Sequence, residues 1–245
     1  MRTALLILSL AAVPAVAQPL TPAQRSEVVA ILHDALRSDP SILRDAVTAL
    51  QADDQRLEAD AARQSIAAAR GQLMDPAAPA AGNVAGDVTV VEFFDTRCPY
   101  CAKLNPTIDA LLAKDPKVRL IYKDMPILGA ASVAGSRALL AAQRQEATVP
   151  NAYQRLRAVL MSPGGAATPD AIVAAAGRLG LNVDRLRHDM DDPAILSRLQ
   201  ANVTLAQSLG ITGTPGLVVG SRVIAGAADL PELTSAVAAA RLAAR

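Results

Sequence analysis

The chain of 245 residues holds only two cysteines, and both stand in FDTRCPYCAK as Cys98 and Cys101. Two thiols at this spacing admit a metal site, a structural staple or a redox centre. A tetrahedral zinc site wants four nitrogen or sulfur ligands. The chain offers only His33 and His188 beyond the pair, and neither has ligand spacing to the other. Copper(I) favours soft thiolates and can be held by two, so a copper pair stays open. A disulfide across so short a loop removes little chain entropy, which makes a poor staple. Redox chemistry suits the position better, because the thiolate is the nucleophile of disulfide exchange. A cysteine at a helix N-terminus faces unpaired N–H groups and the positive end of the dipole. Cys98 has that place, and Pro99 suits a first turn because it has no N–H to lose. The geometry makes Cys98 the exposed attacking thiol and Cys101, one turn further in, the more buried resolving one.

Other residues could serve that chemistry. Glu92 lies inside the apolar run VTVVEFF, residues 88–94. Burial raises a carboxyl pKa, and such an acid near Cys101 could take up and return its proton. Its alternatives are a pair with Lys123, at the end of the next strand, or water at a strand edge. Asp95 and Arg97 fall in the loop, where Arg97 adds positive potential beside Cys98 or is a plain surface residue. Tyr100 either touches substrate or fills the loop. Thr214-Pro215 follows a glycine and precedes a strand, a place where a cis peptide can stand. Beside Cys98 it would offer backbone groups to an extended peptide.

Strand, helix, strand, a long helical stretch, two short strands and a helix must position these residues. Residues 88–94 read as a buried strand, 99–113 as a helix interrupted by Pro106, and 118–122 as a second strand. Residues 131–209 are mostly helical. Strands follow at 217–219 and around Val223-Ile224, then a helix over 231–242. The first two strands make a parallel crossover and the last two a hairpin.

Upstream, Thr21-Pro22-Ala23-Gln24 has the spacing of a capping box. A second helix from Ser41 to Leu73 puts Leu43, Val47, Leu50, Leu57 and Ala61 on a heptad-like seam, either packed on its own domain or forming an oligomerising arm. Residues 74–87, MDPAAPAAGNVAGD, read as a linker. Residues 1–17 read as a cleavable signal peptide, with Arg2, an apolar run from Leu5 to Val13, and Ala15-Val16-Ala17 as the cleavage site. The expected organisation is a leader over 1–17, an arm over 18–73, the linker, and a redox domain over 88–245. Export places the cysteines where disulfides form, in the periplasm by the bacterial style of the leader. A net charge of +1 argues against nucleic acid as the partner.

FFDTRCPYC, YKDMPILG and GITGTPGLVVG together resemble the DsbA-like branch of the thioredoxin superfamily, over about residues 86–245. The stretch SDPSILRDAVTALQADD is similar to the arm of the suppressor-of-copper-sensitivity protein C and Com1-like group. The resemblance implies an α/β, thioredoxin-like fold with a helical insertion and an N-terminal helical arm. It puts Cys98 and Cys101 in the places of the nucleophilic and resolving cysteines, Glu92 in that of the buried acid, and Pro215 in that of the cis-proline, after Thr214. Pro99, Tyr100 and Thr214 become substrate-binding positions. Tyr100 replaces the histidine of strongly oxidising members and carries no positive charge, which implies a less oxidising centre with more room for isomerase or reductase work. Asp124 and Ala130-Ala131 depart from the family pattern and imply altered surface chemistry near the second strand. The implied partners are misfolded secreted proteins, a membrane reductase or oxidase, and two further copies of the chain in a homotrimer. No organic cofactor is called for. The rivals are a dithiol oxidase and a chaperone or copper(I) carrier using the same pair.

Overall fold

The structure is a computed structural model that describes residues 19–244. The leader expected over residues 1–17 lies outside the described residues. The chain divides into two compact units, Met1–Arg56 and Leu57–Arg245.

In the first unit, α1 spans Pro22–Ser38. The expected capping box is present: the Thr21 hydroxyl accepts from the Gln24 N–H, and the Gln24 side chain accepts from the Thr21 N–H at 2.9 Å. Helix α2 covers Ser41–Ala68 and ends short of the expected Leu73. A separate turn, α3, covers Arg70–Leu73.

The second unit is built on a five-stranded sheet in the order β1-β3-β2-β4-β5. Strand β2 (Val88–Phe94) lies at its centre. It runs parallel to β3 (Val118–Asp124), with Val88 beside Val118 and Glu92 beside Tyr122. Helix α4 (Pro99–Lys114) makes the crossover and continues through Pro106. Strand β4 (Gly216–Val219) pairs antiparallel with the other side of β2 and forms the expected hairpin with β5 (Arg222–Ala225). Between β3 and β4 stand α5 (Ala130–Gln143), α6 (Ala152–Leu160), α7 (Pro169–Arg178), α8 (Val183–Met190) and α9 (Pro193–Ser208). The last helix, α10, covers Leu230–Ala243.

Side chains alternate across a strand, so the sheet serves two cores. Val90, Phe94, Leu120, Tyr122 and Leu217 share one core with α4, α5, α6 and α10. Val91, Phe93, Ile121 and Val218 share the other with Leu73, Leu205 and Ile211. Two-sided burial is why β2 and β3 read as nearly continuous apolar runs.

Residues 74–87, expected as a linker, contain β1 (Ala80–Gly82), which pairs antiparallel with β3. The segment is tied down further: the Gln143 and Arg198 side chains donate to the Ala77 carbonyl, and Gln154 donates to that of Ala80. Its small residues suit close packing rather than slack. Gly82 has φ +71°, and a Cβ there would meet the Val118 carbonyl oxygen at 2.7 Å.

Candidate functional site

Strand β2 delivers the chain to a short turn, and α4 begins directly after it. Cys98 is the N-cap of α4, in extended conformation, with Pro99 at the first helical position. The turn is held by Asp95. Its carbonyl accepts the Cys98 N–H at 3.1 Å. One carboxylate oxygen accepts the Arg97 N–H at 2.8 Å, and the other accepts the N–H groups of Ile127 and Leu128 at 2.8 and 3.0 Å. Asp95 was expected as a loop residue. It is fully buried and ties the cysteine turn to the segment after β3.

Both cysteines are free thiols. Cys98 keeps 5% of its surface and Cys101 none. The expected order of exposure holds, but Cys98 is recessed rather than exposed. Its thiol donates to the Thr214 carbonyl at 3.2 Å, so the loop before β4 covers it. The Thr214-Pro215 peptide bond is cis. Burial pushes the Cys101 thiol far up, with the neighbouring Cys98 and Glu92 adding to the rise and a backbone hydrogen bond at Asp95 opposing it. Cys101 therefore holds its proton until a base removes it.

Glu92 is fully buried and shares the sheet face of Val90 and Phe94, on the α4 side. Its partner is Arg157 of α6, whose guanidinium donates to both carboxylate oxygens at 3.2 and 3.0 Å. Arg157 also lies 4.4 Å over the Phe94 ring and 4.5 Å over that of Tyr122. Burial pushes the Glu92 carboxyl up, and Arg157 opposes it. Neither alternative for Glu92 is realised. Lys123 falls one residue out of phase, on the other sheet face, and donates to the Gln72 carbonyl at 2.7 Å. Arg157 is the residue that the reading of the sequence missed. The signal was there: Tyr153, Arg157 and Leu160 follow helical spacing, which puts a charge on the buried stripe of α6.

Asp124, expected to alter surface chemistry, is fully buried at the end of β3. The Tyr153 hydroxyl donates to its carboxylate at 2.7 Å. Burial pushes this carboxyl up to about 7, with the Tyr153 hydrogen bond opposing.

Two depressions flank the cysteine turn. One, of about 550 Å³, is lined by Cys98, Pro99, Arg97, Lys103, Met161 and Gly165 among others. The second, of about 290 Å³, is lined by residues 210–215 with Val223, Ala225 and Gly226. The fold thus brings together Cys98, Cys101, Glu92, Pro99, Thr214 and Pro215. Tyr100 stands 62% exposed and lines neither depression. Among the described residues, no three His, Cys, Asp or Glu side chains converge to hold a metal ion. A recessed thiol at a helix start, with a second protonated thiol and a buried acid behind it, can exchange a disulfide with a bound chain.

Comparison with known proteins agrees with that chemistry. Residues 89–238 match the DSBA-like thioredoxin domain. The chain belongs to this family of DsbA-like thiol–disulfide oxidoreductases. Its fold is thioredoxin-like, with an N-terminal helical segment. Residues 24–56 of this DsbA-like chain match the copper resistance protein ScsC N-terminal domain. A thioredoxin-like oxidoreductase from Silicibacter pomeroyi is 39% identical, with 71% of this chain and 98% of that one covered and a TM-score of 0.66. Proteus mirabilis ScsC in a transitional conformation is 30% identical, with 91% and 100% covered and a TM-score of 0.64. Among curated proteins, the Na(+)/H(+) antiporter NhaA 3 of Salinispora tropica is 30% identical over 191 residues, which are 75% of this chain and 29% of the antiporter. The chain thus spans less than a third of the length of that curated relative. No helix among the described residues is long and apolar enough to cross a membrane.

Proposed function

We propose that this chain is an exported disulfide isomerase acting on misfolded secreted proteins in the periplasm. The observation that carries the reading is the placement of Cys98 at the start of α4, under the Thr214 carbonyl, with the buried Cys101 thiol one turn behind. In the reaction, the Cys98 thiolate attacks one sulfur of a substrate disulfide. A Cys98–substrate bond forms and the other substrate sulfur leaves as a thiolate. That thiolate can attack a different substrate disulfide, and a substrate thiolate finally displaces Cys98 in reduced form. No net electrons are consumed. If the substrate stalls, Cys101 attacks Cys98, releases the substrate as a thiol and leaves the Cys98–Cys101 disulfide. Glu92 takes the Cys101 proton in that step, and a membrane reductase restores the dithiol.

Two features favour isomerisation over disulfide donation, and a third favours export. Tyr100 between the cysteines supplies no positive charge to hold a thiolate. Leu43 and Leu50 of α2 stand 60% and 62% exposed, as an arm that joins copies into a trimer requires. The apolar run and small-residue site of residues 1–17 suit export.

The test is reactivation of scrambled, oxidised ribonuclease in a glutathione buffer, with Cys98→Ala alongside. The expected result is reactivation by the native protein and none by the variant. Rapid oxidation of reduced ribonuclease without any reactivation would replace the isomerase with a disulfide donor. The match of residues 24–56 to a copper resistance domain favours a second reading, a copper(I) carrier. That reading requires one copper(I) per reduced pair and none on Cys98→Ala.

A further inference from the structure

The larger depression beside Cys98 has a one-sided charge. Among its lining residues, Arg97 and Lys103 are the charged side chains, and both are exposed. No carboxylate lines it. Asp95, nearest in sequence, is buried with its carboxylate accepting three backbone N–H groups. The N-terminus of the 16-residue α4 adds positive potential at the same place. The depression on the Thr214 side has no ionisable side chain in its lining.

Resting on the exchange reading above, we infer that this groove selects polypeptide disulfides with an acidic side chain next to the reacting cysteine. Arg97 and Lys103 receive the acid while Cys98 attacks the sulfur. The volume, about 550 Å³, has room for the residues flanking a cysteine, and Met161 and Pro99 give their stems an apolar wall. Partly exposed opposite charges act mainly on encounter and orientation, and salt screens them.

The experiment is a single turnover without glutathione. The reduced full chain is mixed with either of two peptides closed by an internal disulfide, identical except for Glu or Lys beside each cysteine. Two electrons pass from the Cys98–Cys101 dithiol to the peptide, and reduced peptide is counted by chromatography. The Glu peptide is expected to react about tenfold faster at low salt, a ratio set by two solvent-screened charges. That ratio should shrink towards one in high salt. Arg97→Gln/Lys103→Gln should bring it near one, and Arg97→Glu/Lys103→Glu should invert it. Any general change in thiol reactivity cancels, because both peptides share it. Equal rates with the native chain, or a preference that survives charge reversal, would overturn the inference and leave the exchange function standing. Failure of both peptides to react would remove the exchange function itself, and the inference with it.

Discussion

At the scale of single residues, the Glu92–Arg157 pair behaves as one unit. Both side chains are buried, and the two rings beneath the guanidinium exclude water from it. Breaking such a pair costs more than the pair contributes, because the remaining charge stays desolvated. Arg157→Met should destabilise the protein by about 3–5 kcal/mol. Adding Glu92→Gln should restore part of that, because a neutral amide is cheaper to bury. Urea unfolding of the single and double variants measures both; additive losses would mean that the two groups are not coupled. The same pair bears on the proposed exchange, since Arg157 holds the carboxylate that would take the Cys101 proton.

At the scale of elements, Asp124 joins β3 to two helices. Its carboxylate accepts from Tyr153 of α6, and its backbone carbonyl accepts from the Asn202 side chain of α9 at 3.1 Å. Burial raises the carboxyl from its ordinary 3.8 to about 7. Between those values the unfolded chain has lost the proton and the folded chain still holds it. Folding therefore binds a proton, and the Asp124 contribution to stability falls as pH rises from about 4 to about 7, with no further change above. Asp124→Asn removes this slope and keeps an acceptor for Tyr153. Relative to the native protein, the variant should gain stability between pH 5 and pH 8. Parallel urea midpoints across that range would show that Asp124 titrates as an ordinary carboxyl.

At the scale of the whole molecule, disulfide shuffling needs one Cys98 for the chemistry and gains from several joined ones. An isomerase must hold a misfolded chain through several exchanges, and joined sites raise the local concentration of thiols around it. Replacing exposed leucines of α2, as in Leu43→Lys/Leu50→Lys, tests whether they join copies. Sedimentation should show an oligomer for the native protein and a monomer for the variant. Ribonuclease reactivation should fall severalfold, while single-turnover reduction of a small peptide disulfide stays unchanged. An unaltered sedimentation coefficient would remove α2 as the oligomerising element.

Some of this was legible from the residues alone. The helix starts at Thr21 and Cys98, the strands at 88–94 and 118–122 (the second running on to Asp124), and the order of burial of the two cysteines follow from local rules. Caps, continuous apolar runs and a fixed two-residue spacing act within a few residues, so the linear chain contains them. Glu92 was legible as a candidate too, because an acid inside an apolar strand stands out, although a strand edge and a pair with Lys123 stayed open. Its partner was not. Arg157 is 65 residues away, and only the packing of α6 over the sheet decides that it, and not Lys123, meets the carboxylate. The strand at Ala80–Gly82 was read as slack because small residues show no periodic stripe; its order comes from hydrogen bonds to β3 and to distant side chains. Asp124 is acidic in any sequence, but its raised pKa is a property of the shell that closes over it. The cationic groove was hidden for the same reason. Arg97 and Lys103 meet Met161 and Gly165 only once the helices after β3 fold back beside the cysteine turn.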